Sequence, residues 1–165
     1  MSEELDVMWR GVRAWLESVR RASAGIEPLV REIRALEDAR DDMLEWRTRA
    51  TGASGHGAGA HSDPTAKAAE RRMVELEELI ASKQAEWQRK IAQVGACGEV
   101  LEAMAMAIGE KHALAIELYY VDCADTWSEV ACEMDVTYRR VCQLRTEAYA
   151  WIDANCRGII WPFPI

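Results

Sequence analysis

Phenylalanine occurs once and proline only four times in the 165 residues. An all-β sandwich needs many short alternating strands closed by turn residues, so helices must carry this fold. The five cysteines, Cys97, Cys123, Cys132, Cys142 and Cys156, are odd in number, widely spaced and free of any C-x-x-C. Neither a complete disulfide framework nor a zinc ribbon fits them, and they read as reduced and mostly packed. Histidine is equally scarce. His56 and His61 fall in a glycine-rich run and His112 stands alone, so no metal is expected. No stretch reads as the roughly 18 apolar residues of a membrane span, and the opening MSEELDVMWR is acidic where a signal peptide is basic and then apolar. The expected location is the cytoplasm, with no membrane contact. There is also no nucleophile–base pairing and no phosphate-binding glycine loop ending in G-K-S/T. Hence no catalytic residue and no cofactor are expected, and the chain does not read as an enzyme. Basic charge is short as well: 20 bases face 28 acids, for a net charge of −8. That excludes a general nucleic-acid-coating protein, and any DNA contact must be local.

What is present is helical periodicity. Leu5, Met8, Val12, Trp15, Leu16 and Val19 recur at three and four, predicting an amphipathic helix from about Ser2 to Ala22 that stops at Gly25. A second helix is predicted to start near Pro28, whose fixed φ suits a first turn. Leu29, Ile33, Leu36 and Met43 then follow an a/d spacing interrupted by Arg40. The run ATGASGHGAGAHS holds four of the ten glycines and no apolar side chain larger than alanine, so it reads as a flexible loop at 51–62. Ser62-Asp63-Pro64 is a helix-start signal. Beyond it, Ala69, Met73, Leu76, Ile80, Trp87, Ile91 and Val94 keep a near-heptad stripe. The expected arrangement is an antiparallel, coiled-coil-like hairpin, residues 28–50 against 64–94. Gly95 and Gly98 are expected to bracket a break, with a short helix through Val100, Leu101, Met104 and Ile108 ending at Gly109. The expected division is therefore residues 1–96 for the N-terminal helix and hairpin, 97–157 for a helix-turn-helix domain and 158–165 for an apolar tail. The fold class is all-α.

From Trp127 onward the apolar positions match a helix-turn-helix. Val130 and Ala131 sit where the first helix meets the second, Met134 and Val136 flank the turn, and Val141, Leu144 and Ala148 or Tyr149 pin the second helix. Thr126 with Glu129 makes a capping box, and Thr137 can begin the second helix. Asp135 occupies the turn position that often holds glycine, and aspartate tolerates positive φ better than most residues. The second helix then offers Thr137, Tyr138, Arg139, Arg140, Gln143 and Thr146, with Arg145 to one side, as the candidate DNA-binding residues. Arg and Gln can form bidentate bonds to guanine and adenine edges, while Thr and Tyr reach phosphates or thymine methyls. Arg139, Arg140 and Arg145 outnumber the single acid, Glu147, between Thr137 and Trp151. Three phosphate contacts give a log–log salt slope near about −2.7, so one copy binds weakly and a second copy or RNA polymerase must add affinity. Tyr119 and Tyr120 read as packing residues rather than as a base-stacking platform.

The segment ALAIELYYVDCADTWSEVACEMDVTYRRVCQLRTEAYAWI resembles the fourth-region helix-turn-helix of sigma-70-type factors. With SDPTAKAAERRMVELEELI ahead of it, the chain from residue 26 to about 153 is similar to the RinA/ArpU-type family of phage and prophage late-operon transcriptional regulators. The matching elements are Leu118, Tyr119, Tyr120, Trp127, Val130 and Ala131. The resemblance implies phage-encoded transcription regulation through duplex DNA, as a homodimer or with RNA polymerase. The alternative is a non-enzymatic protein-interaction scaffold that uses the hairpin without touching DNA. The ending, with Ile159, Ile160, Trp161, Phe163 and Ile165 interrupted by Pro162 and Pro164, is expected to be neither helix nor central strand. It packs on the chain's own core or grips a second copy.

Overall fold

A computed structural model describes residues 9–52 and 64–160, and every regular element among them is helical. In chain order these are α1 (Arg10–Gly52), α2 (Pro64–Ile108), α3 (Glu110–Tyr120), α4 (Trp127–Glu133), α5 (Tyr138–Asn155) and the single turn α6 (Arg157–Ile160). Leu5 and Met8, most of the glycine-rich run, the cap Asp63 and the tail from Trp161 lie outside the described residues.

Two expected helix ends are not ends. The helix predicted to stop at Gly25 and restart at Pro28 runs through both, and the break predicted between Gly95 and Gly98 is absent. Proline inside a helix removes a hydrogen bond and crowds the carbonyl four residues back, at about 3 kcal/mol, and each glycine costs about 0.5–1 kcal/mol relative to alanine. Burial outweighs these penalties. Val19, Ala22, Leu29 and Ile33 continue one buried stripe across Gly25 and Pro28, and Cys97, Val100, Leu101 and Met104 do the same beyond Gly95. A fully buried side chain of this size contributes about 1.5–3 kcal/mol. Gly25 serves a close approach instead: a Cβ there would lie 2.9 Å from Lys90 Nζ. Gly109 is the true stop. Its φ of 116° with ψ of 150° is a conformation that essentially only glycine holds.

The chain divides into two compact units, 27–89 and the remainder, rather than at residue 96, and both α1 and α2 contribute to each. In the unit 27–89 the two helices form the expected antiparallel hairpin. Leu29, Ile33, Met73 and Ile80 are buried along the seam. Lys83 pairs with Glu32 at 2.9 Å, Gln84 donates to Glu37 at 3.1 Å and Arg47 lies 3.9 Å from Glu70, so residue numbers rise on one arm as they fall on the other.

The second unit is built around Val12, Trp15, Leu16 and Val19 of α1, which pack with Met104, Ile116, Tyr120 and Ile152. The start of α1 thus belongs to the same core as α3 and α5. One expectation about hydropathy is also corrected. The helical stretch Thr65–Ile108 contains an 18-residue window of mean hydropathy 1.4, long and apolar enough to cross a membrane by length and composition. Four of the side chains near its C-terminal end, Cys97, Val100, Leu101 and Met104, are buried in the protein's own core.

Candidate nucleic-acid interface

The candidate site lies in the second unit, where α4 and α5 are joined by a tight turn. Thr126 caps α4 by accepting the Glu129 amide at 3.2 Å, as its sequence position predicts. Glu129 reaches back one residue further than in a standard capping box, accepting the Asp125 amide at 2.8 Å. Thr137 caps α5 by accepting the Arg140 amide at 3.3 Å. Between them, Asp135 takes a φ of 51°, and the Val136 amide donates to the Ala131 carbonyl at 3.0 Å. This is a Schellman-type helix end with aspartate in the left-handed position usually held by glycine.

The end of α3 also holds a residue in the left-handed region, with a wider closing hydrogen bond and no sequence signal to announce it. Cys123 has a φ of 61°, and the Ala124 amide donates to the Leu118 carbonyl at 3.0 Å. The carbonyls left over are taken by α1. Arg20 donates to the carbonyl of Tyr119, to Ala124 at 2.9 Å and to Cys123 at 3.5 Å, while the Ser23 hydroxyl donates to Val121 at 2.6 Å. A lone arginine beside an apolar stripe carries no pattern that announces such a clamp.

Behind the turn, Val130, Ala131, Val141 and Leu144 pack with Ala115 and Leu118, as the apolar frame predicts. Ala148, Tyr149 and Ile152 extend α5 into the larger core. The Tyr120 and Tyr149 hydroxyls bond to each other inside it. Burial pushes the Tyr120 hydroxyl far above its ordinary range, and the adjacent Tyr149 adds to the effect. Tyr119 is also a packing residue: its ring stacks on Trp127 with centroids 4.1 Å apart and planes 11° from parallel. The Arg20 guanidinium lies 4.4 Å from the Tyr119 centroid and that of Arg145 lies 5.1 Å from Trp127. Arg20, Tyr119, Trp127 and Arg145 thereby link α1, α3, α4 and α5 through consecutive ring contacts. Cation–π contacts are worth about 0.5–2 kcal/mol each depending on desolvation. His112 adds another tie from α3 to α5, hydrogen-bonded to Glu147 at 2.6 Å.

With one side of α5 buried, the other is open. Thr137, Tyr138, Arg139, Arg140, Gln143 and Thr146 are all exposed, Tyr138 at 55%. Arg140 lies within 3.4 Å of Gln143, so the two polar ends adjoin. The remaining candidates are more constrained. Arg145 is half-buried over Trp127, and the Thr146 hydroxyl donates to the Cys142 carbonyl of its own helix at 2.9 Å. The surroundings are acidic: Asp122, Asp125, Glu129, Glu133 and Asp135 are exposed on α4 and its flanking turns. Among the described residues no group of three or more His, Cys, Asp or Glu side chains is placed to hold a metal ion.

Comparison of the chain with protein-family models, curated proteins and solved structures returns no match.

Proposed function

We propose that the protein is a non-enzymatic, cytoplasmic transcription regulator of the phage late-operon type that contacts duplex DNA through α5. The observation that carries this reading is the division of α5 into two sides. Val141, Leu144, Ala148 and Ile152 are fully buried, and the opposite side presents Tyr138, Arg139, Arg140 and Gln143 to solvent at the start of a capped helix. An exposed helix start behind a short helix and tight turn is the geometry that enters a major groove, and these side chains suit base edges and phosphates. The sigma-70 region-4-like sequence resemblance supports the same assignment. Arg145, resting on Trp127, acts as a positioning residue that holds α4 on α5.

Three arginines set among exposed acids give weak electrostatic affinity, so two copies, or one copy held by RNA polymerase, are needed for useful occupancy. The test is anisotropy of a labelled random duplex at low salt. Arg139→Ala combined with Arg140→Ala should weaken binding by at least about tenfold, two lost phosphate or base contacts being worth more than about 1.4 kcal/mol. Unchanged binding rejects the reading.

A second reading, a protein-interaction scaffold working through the hairpin, draws on one observation. Leu44, Trp46, Val74 and Leu79 are large apolar side chains left exposed there. A protein partner retained through purification, with no shift of any duplex, would favour it.

A further inference from the structure

We propose that the middle of α5 reads A·T base pairs, with Gln143 taking the edge of an adenine and the Thr146 methyl meeting the methyl of a thymine at the neighbouring pair. This rests on the reading of α5 as a duplex-binding helix and adds the bases it selects. Val141, Leu144, Ala148 and Ile152 fix the buried side of α5. At about 100° per residue, Arg139, Gln143, Thr146 and Ala150 fall on the opposite side. The first three are exposed and Ala150 is half-buried. From Gln143 to Thr146 the helix rises about 4.5 Å, close to one base-pair step of about 3.4 Å.

The helix has already committed part of the bonding capacity of both side chains. Arg140 Nη1 donates to Gln143 Oε1 at 3.4 Å. A carbonyl oxygen has two lone pairs, so Gln143 keeps one acceptor position and both amide donors. A donor beside an acceptor matches adenine N7 and N6 in the major groove, whereas guanine offers two acceptors there. The Thr146 hydroxyl donates to the Cys142 carbonyl at 2.9 Å. With its one proton committed, Thr146 offers DNA no donor, and its methyl suits the thymine methyl. Groups nearby that would suit other bases are engaged. Arg145 rests on Trp127, and Glu147, whose carboxylate could accept from cytosine N4, is hydrogen-bonded to His112 at 2.6 Å. Beyond Thr146, Ala150 adds only another methyl. Arg139 and Arg140, which suit guanine or phosphate, stand ahead of Gln143 in the first turn.

Selection of duplexes from a randomised pool by the full chain at low salt, followed by anisotropy on the selected duplex, tests this. Adjacent A·T pairs should be enriched. Gln143→Ala should cut the preference for adenine at one position by at least about fivefold, with helicity by circular dichroism retained. Replacing the contacted thymine by deoxyuridine, which lacks only the methyl, should weaken wild-type binding by at least about threefold. Thr146→Ser, which keeps the hydroxyl, should abolish that difference, and Thr146→Val should retain it. Neither Gln143→Ala nor Thr146→Ser removes a charge, so the salt slope should keep its wild-type value, unlike that of the Arg139/Arg140 variant. Enrichment of G·C at these positions, deoxyuridine bound as tightly as thymine, or a preference that either substitution leaves intact overturns the inference. Binding that depends on Arg139 and Arg140 without base preference also overturns it, yet leaves the reading of α5 standing. No duplex binding at all removes both.

Discussion

The Tyr120 and Tyr149 hydroxyls satisfy each other in a core that offers them little else. Removing one leaves the other buried without a partner, whereas removing both leaves an apolar contact of nearly the same shape. Tyr120→Phe should therefore cost about 1–2 kcal/mol in urea unfolding, and the double Phe variant should cost less than the two single changes combined. Cys97 gives a pH signature. Burial pushes its thiol up to about 12, with Glu117 adding to the effect. A free thiol in the unfolded chain ionises near about 8.5, so the unfolded state loses a proton first as pH rises. The contribution of Cys97 is complete below about pH 8.5 and should fall by up to about 1.4 kcal/mol per pH unit toward pH 12, and Cys97→Ala should flatten that slope. An aromatic-thiol reagent should label exposed Cys132 in the native protein and reach Cys97 only on unfolding. At this scale legibility followed side-chain chemistry. Asp135 at the turn and Thr126 and Thr137 as caps were readable, because each residue type has a local preference for its role. Arg20 and Cys123 were not, since the carbonyls that Arg20 binds come from a helix end about a hundred residues away and cysteine has no preference for positive φ.

Glycine meant different things in different helices, and sequence alone weighted Gly25, Gly95, Gly98 and Gly109 alike as breaks. Gly95 and Gly98 lie in the middle of α2, and a Cβ at either would meet nothing within 4 Å. Gly95→Ala and Gly98→Ala should each stabilise the protein by about 0.5–1 kcal/mol. Gly109→Ala should instead destabilise it by about 1–3 kcal/mol, because φ of 116° strains any other residue. Matching thermal melts decide the point, and destabilisation by alanine at Gly95 or Gly98 would contradict a continuous α2. Pro28 was misread for a related reason. A local breaker signal competes with a buried stripe on both sides of it, and the stripe wins once Ala22 and Leu29 both find partners. The hairpin pairing and the frame of α4 and α5 were legible because their apolar spacing is regular over several turns. The tail from Ile159 was expected to be irregular, but Arg157–Ile160 closes one further helical turn before Pro162.

At the scale of the whole molecule, the division into units follows cores rather than chain order. The N-terminal part of α1 supplies Val12, Trp15, Leu16 and Val19 to the core that holds α5 in place. Sequence could mark that stripe as buried without saying against what, and so grouped it with the hairpin. A net charge of −8 spread over the chain disfavours nonspecific DNA affinity, and the open side of α5 sets Arg139 and Arg140 side by side. Contact of α5 with the duplex backbone is therefore the central proposal, and the dependence of duplex affinity on salt is its most direct test. Wild-type protein should give a log–log slope of about −2 to −3, and Arg139→Ala with Arg140→Ala should bring it about two closer to zero. A slope that the two substitutions leave unchanged would place any DNA contact elsewhere on the molecule and contradict the account.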